Sequence, residues 1–200
     1  MNANEAVSDK GTFAALSEEC NAIFDTSKRM PEFVFRRAFD RYFAIEYAYV
    51  YEEQFGLLLS KLSTLFEDES IHYMLLDPKP GDDYFRMTSY FGAVSFKPAS
   101  SVEERYMPVM SMKGNLPRVL VSANAGVFWG SSRKWAIHCD RISWETAVIA
   151  VPENVDVRAI SSIRCLDAMT LSSYMESQYH WKLATAAEFC RRFLANYQLQ

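Results

Sequence analysis

The 200 residues carry 21 Lys and Arg against 25 Asp and Glu, a net charge of -4, with half the chain apolar and 14% aromatic. That composition is globular with an aromatic-heavy core, and its charge excludes a strongly cationic nucleic-acid binder. A chain of this length folds as one domain that buries roughly 70% of its unfolded surface, so no metal or disulfide staple is needed.

Cys20, Cys139, Cys165 and Cys190 are far apart and form no C-x-x-C pair. The N-terminus has neither a basic n-region nor an apolar h-region, so the thiols read as free and buried and the protein as cytosolic. No apolar run approaches the ~20 residues of a spanning helix, so no membrane association is expected.

Residues 1–11 are polar and read as a frayed end. Phe13, Leu16, Cys20, Ile23 and Phe24 recur at helical spacing, with Thr12 as N-cap. Pro31 suits the first turn of a second helix, with Phe35, Phe39, Tyr42 and Phe43 on one side and Arg36, Arg37, Asp40 and Arg41 towards water. In 44–51, Tyr47, Tyr49 and Tyr51 alternate with Ala48 and Val50, which favours a strand. Glu53 to Phe66 is a helix with a stripe of Phe55, Leu58, Leu59, Leu62, Leu65 and Phe66.

Ile71 to Leu76 is a strand stopped by Asp77-Pro78-Lys79-Pro80-Gly81. Asp82 to Tyr90 reads as a short helix, 92–96 as a strand, 98–117 as a helix within loops and 119–122 as a strand. Asn124-Ala125-Gly126 is a turn into the stretch Val127 to Val151, which holds three of the four tryptophans. There, 134–139 and 143–151 flank the polar Asp140-Arg141 and predict a β-hairpin. Residues 148–151 are apolar on both faces, which places that strand centrally with both faces covered. Leu166 to Ser177 and Lys182 to Tyr197 read as two further helices. The fold class is α+β: one domain, residues 12–200, with a mainly antiparallel sheet and helices at both chain ends packed over it.

His138-Cys139-Asp140 has the residue types of a cysteine nucleophile with its base. On a strand, however, neighbouring side chains point to opposite faces, so His138 cannot activate Cys139. The histidines and cysteines show no metal-ligand spacing, and Gly126 and Gly130 have no following lysine in Walker spacing, so neither metal nor cofactor is expected. Trp129, Trp135, Trp144 and the tyrosine-rich stretch either fill the core or form a ligand platform; core packing is the ordinary role. Asp140, Arg141 and Glu145 either brace the hairpin turn or face a partner.

The segment from about 71 to 151 resembles an uncharacterised family of small bacterial proteins associated with the immunity proteins of polymorphic toxin systems. The resemblance is carried by Leu76-Asp77-Pro78-Lys79-Pro80, Tyr84-Phe85, Phe91-Gly92, Asn124-Ala125-Gly126-Val127, Trp129-Gly130-Ser131-Ser132, Trp135-Ala136-Ile137, Asp140-Arg141, Trp144-Glu145 and Ala147-Val148-Ile149, in that order. The family tends to have Asp in place of Gly126, and an aromatic–glycine pair where this chain has His138-Cys139. The resemblance implies a non-catalytic protein whose surface blocks a cognate toxin, and the net charge of -4 argues against a nucleic-acid partner. Acidic and aromatic contact groups suit a basic toxin. The contact residues expected are Glu52, Glu53, Asp82, Asp83, Asp140, Arg141 and Glu145. The alternative is a small-molecule-binding or enzymatic domain with an aromatic-lined pocket around the 127–151 hairpin.

Overall fold

Apolar strands too hydrophobic to face water on either side need cover on both, and the fold supplies it. The computed structural model describes residues 6–98 and 123–199. In chain order these form α1 (Lys10–Ile23), β1 (Arg41–Glu46), a 3-10 turn (Tyr47–Tyr51), α2 (Glu53–Leu65), β2 (Ile71–Asp77), α3 (Asp82–Thr88) and β3 (Ala93–Phe96). After the undescribed segment come β4 (Ala125–Gly130), β5 (Ala136–Asp140), β6 (Thr146–Val151), α4 (Val157–Ile160), β7 (Cys165–Leu166), α5 (Ala168–Gln178) and α6 (Leu183–Tyr197). The sequence-predicted helix in 98–117 and strand at 119–122 lie outside the described residues.

The strands make one antiparallel sheet in the order β3-β2-β4-β5-β6-β1-β7. On one face, Phe43, Ile45, Tyr73, Phe128, Ile137 and Ile149 meet Phe55, Leu58, Leu59 and Leu62 of α2. On the other, Ala44, Met74, Val127, Trp129, Val148 and Ala150 meet α1, α5 and α6. Every residue of β4, β5 and β6 is buried. The domain is thus α+β with helices from both chain ends against the sheet, and β6 is central and covered on both faces as its sequence implies. Trp129 and Trp135 are 0% exposed and fill the core.

Asp9, not Thr12, caps α1: its carboxylate accepts from the Thr12 N–H at 2.7 Å. The chain is engaged before that helix, since Ala6 bridges Val94 and the Val7 N–H donates to the Ala93 carbonyl. Residues 31–40 form no helix. The segment runs extended against Ile23 and Phe24, with the Asp25 N–H on the Val34 carbonyl and the Arg36 N–H on the Ile23 carbonyl. Its aromatics pack on the far end of the chain: Phe33, Phe35 and Tyr42 surround Tyr197, whose hydroxyl donates to the Glu32 carbonyl at 2.6 Å.

At 47–51 the expected strand is a 3-10 turn. Pairing with β6 ends at Glu46↔Thr146, and the two buried residues of the turn, Tyr47 and Val50, sit three apart, which is that helix's period. The expected turn at 124–126 is shorter than its sequence suggests, because Ala125 and Gly126 already belong to β4. Gly126 lies under the Tyr73 ring, where a Cβ would overlap the phenol.

The β4–β5 hairpin is held from outside by Asp68, which follows α2. Its carboxylate accepts from the Trp135 indole N–H at 2.7 Å and the Ser132 N–H at 2.6 Å. Ser131 Oγ in turn accepts from the Glu69 N–H at 2.9 Å. A Cβ on Gly130 would collide with that carboxylate. Asp68→Ala leaves the indole and the Ser132 amide unpaired and is expected to cost about 3 kcal/mol. Trp135→Ala should cost about 3–5 kcal/mol, most of an ordinary domain's stability, and yield largely unfolded protein. Thermal melts by circular dichroism check both; a Trp135→Ala protein melting within a few degrees of wild type would remove the tryptophan from the structural account.

Candidate functional site

One end of the sheet gathers the polar groups. Asp77, Ala125, Asp140, Thr146 and Glu46 follow one another across five adjacent strands in register. The chain leaves this end at three places: after β2 towards Asp82 and Asp83, between β5 and β6 through 141–145, and after β1 towards Glu52 and Glu53. Six of the seven sequence-predicted contact residues therefore hang from one rim. Glu52, Glu53, Asp82, Asp83 and Glu145 are exposed and Arg141 is half-buried. Two are already paired at the surface, Asp82 with Lys10 at 2.9 Å and Asp83 with Arg86 at 3.2 Å.

Asp140 is the exception. It is 1% exposed and cannot face a partner. The polar dipeptide suggests a turn, but pairing continues through Asp140↔Thr146, so the turn starts one residue later. One carboxylate oxygen accepts from the Ser143 N–H at 2.9 Å and fixes that turn. Burial pushes its pKa up, against the lowering pull of the Ser143 bonds and of Arg29.

The turn 141–145 is pinned from several sides. The Arg141 N–H donates to the Asn124 carbonyl, and the Tyr47 N–H to the Glu145 carbonyl. The Tyr174 hydroxyl donates to that same Glu145 carbonyl at 3.0 Å and the Tyr179 hydroxyl to Ser143 at 3.2 Å. Glu145 itself is left-handed at φ 48. Glu46, Tyr47, Tyr51, Arg141, Glu145 and Tyr174 line a cleft of about 390 Å³, with the Arg141 guanidinium donating to the Tyr51 hydroxyl at 3.3 Å. Burial, then the carboxylates of Glu145 and Glu46, push the Tyr174 phenol up, so it stays protonated.

Apolar groups adjoin the cleft that the sequence did not single out. Ile142 is 64% exposed at the tip of the turn, and Trp181 is 64% exposed beyond α5. Tyr179 links them: it bonds Ser143, and its ring lies 5.5 Å from Trp144 and 6.1 Å from Trp181. The available signal was the run Tyr179-His180-Trp181 in the break between two helices. Trp144 is half-buried, stacked on Phe189 at 4.1 Å.

No protein-family model, curated protein or solved structure matches the chain.

His138 and Cys139 lie on opposite faces, His138 in register with Val127 and Val148 and Cys139 with Gly126 and Ala147. Burial, and then the Asp140 charge, raises the Cys139 thiol far above its ordinary range. All four cysteines are free thiols. Among the described residues, no group of three or more His, Cys, Asp or Glu could hold a metal ion, and no helix is long and apolar enough to cross a membrane.

Burial, with a smaller push from Arg29, lowers the His138 pKa to about 3. The unfolded chain then binds one proton more than the folded one between pH ~6.5 and the folded value. Stability from this group is complete above pH ~6.5 and falls by up to about 1.4 kcal/mol per pH unit as pH drops towards 3. Asp140, raised by burial, works in the opposite sense over the acid range. His138→Leu is therefore expected to gain on wild type steadily from pH 6.5 to pH 4 in urea unfolding. Parallel curves for the two proteins would contradict burial of a neutral imidazole.

Proposed function

We propose that the protein is an immunity-type binding module that neutralises a cognate bacterial toxin by covering it with the rim around 141–145. The observation that carries this reading is that Glu52, Glu53, Asp82, Asp83, Arg141 and Glu145 all lie in connections leaving one end of the sheet, where Ile142 is exposed at the tip of the turn. Acidic groups around tyrosine, tryptophan and arginine are what hot spots for a basic partner consist of. The rim residues Arg141 and Glu145 belong to the motifs that resemble the immunity family. The module works in the cytoplasm, where its four thiols stay reduced.

The alternative pocket around the hairpin has less support. Trp129 and Trp135 are sealed in the core, and the 390 Å³ cleft is lined by tyrosines and charges instead. His138 and Cys139 face apart, so this pair is not placed for nucleophilic chemistry.

Coexpression with the product of the neighbouring gene tests the reading. Copurification of a stable pair, with loss of the toxin's activity, is expected. Ile142→Asp and Glu145→Lys should each weaken the pair at least tenfold, on the order of 1.4 kcal/mol or more, while shifting the melting temperature little because both side chains are exposed. A neighbouring product that is no toxin, or that does not associate, ends this assignment.

A further inference from the structure

The cleft beside the 141–145 turn has a chemistry of its own. Four elements close on it: the end of β1, the 3-10 turn, the 141–145 turn and α5. Its volume of about 390 Å³ lies inside the range of ligand sites. Tyr47 and Tyr51 meet edge to face, 5.5 Å apart at 71°, so their rings offer two orientations, and Tyr174 adds a third phenol from α5. The walls are already held in place, because the Tyr47 N–H and the Tyr174 hydroxyl both donate to the Glu145 carbonyl.

The charges on the lining are uneven. Glu46 comes from the end of β1 and Glu145 from the turn, and both carboxylates act on the Tyr174 phenol. Among the described residues neither carboxylate takes part in a salt bridge or a side-chain hydrogen bond. The cation of the lining, Arg141, donates to the Tyr51 hydroxyl at 3.3 Å and not to either of them. The Tyr174 hydroxyl spends its proton on the Glu145 carbonyl, so its oxygen remains an acceptor. Two carboxylates against one guanidinium leave one negative charge in excess, beside tyrosine faces and unspent acceptors. Such a lining selects a cation. A guanidinium fits it better than an ammonium: it is planar and weakly hydrated, it stacks on aromatic rings, and its fork of N–H groups matches carboxylates.

We propose that this cleft binds a guanidinium group, the head of an arginine side chain. The group stacks on the tyrosine faces and divides its N–H groups between Glu46 and Glu145. That the arginine belongs to a basic toxin and anchors the contact rests on the immunity reading above.

Titration of the full chain alone with N-acetyl-arginine amide, followed by amide chemical shifts and calorimetry, tests the assignment. N-acetyl-citrulline amide, of the same shape without the charge, and N-acetyl-lysine amide are the controls. Saturable shifts confined to 46–51, 141–145 and 174–178 are expected, with a Kd of about 1 mM for a fragment of this size. Citrulline should bind at least tenfold more weakly, and lysine more weakly than arginine. Glu46→Gln and Glu145→Gln keep the side-chain shape and should each weaken the arginine amide about tenfold, the worth of one charge-assisted contact; thermal melting checks that both stay folded. Equal binding of citrulline or lysine, unchanged affinity in either variant, equal shifts at 52–53 and 82–83, or no saturable shift by about 20 mM overturns the proposal. No toxin is present in this titration, so its failure leaves the immunity reading to the coexpression test, and a neighbouring gene that encodes no toxin leaves the cleft's ligand as measured.

Discussion

The fold depends on where the Asp68 carboxylate sits. It is a charged group 9% exposed at the seam between the end of α2 and the first central hairpin. Burying such a group is costly unless its lone pairs are used, and here Trp135, Ser132 and Ser131 use them. The chain is reversed into position at Glu67, left-handed at φ 56, and the Asp68 N–H returns to the Ser63 carbonyl. Helix and hairpin are thereby locked in one relative placement. The Trp-Gly-Ser-Ser-x-x-Trp spacing follows from this lock: Gly130 makes room for the carboxylate, the serines supply donors, and Trp135 reaches it from the core. Those motif residues serve architecture.

Antiparallel sheets commonly leave one face to water, and this one does not. β4, β5 and β6 are buried on both faces, so inward polar groups are few. His138 sits with Val127 and Val148 on the same face as Trp129, and neither of its ring nitrogens has a protein partner. A sheet so fully covered has no open face for recognition. What remains accessible is the ends of strands and the connections between them, and the charged residues collect at one such end. The accessible polar groups are displaced to the rim because hydrophobic burial consumes both faces.

How much of this could be read from the chain depended on whether a residue's role was local. The apolar run 148–151 announced a doubly covered strand, and the stripe Phe55 to Phe66 announced α2, although Leu65 within it is exposed; both patterns are set by neighbours in sequence. The 31–40 segment misleads because aromatics at 35, 39 and 43 carry helical spacing, while Phe35 and Tyr42 pack on Tyr197, over 150 residues away. Tyr47 and Val50 fit both an alternating and a three-residue period, and the end of the β6 ladder decides between them. For the candidate site, the charged Glu145 and Arg141 lie at the rim, exposed and half-buried respectively. Charge misplaced Asp140, since a polar residue that caps a turn from inside looks the same in sequence as one outside. Ile142 and Trp181 were invisible because an exposed apolar residue carries no pattern that sets it apart from a buried one.

Adjacent residues 140 and 141 show how the rim is prepared. Asp140 is spent inward on the Ser143 amide, and Arg141 is thereby turned outward to the Tyr51 hydroxyl. The carbonyls of Asn124, Ser143 and Glu145 are each taken by a donor from the turn itself, from Tyr47, or from α5 and its extension. Few backbone torsions in 141–145 are left to freeze on association. A segment held this way loses little conformational entropy when a partner docks, so a modest number of side-chain contacts can yield tight binding. The left-handed Glu145 fits the same logic: its strain is held by two donors on one carbonyl, the Tyr47 N–H and the Tyr174 hydroxyl.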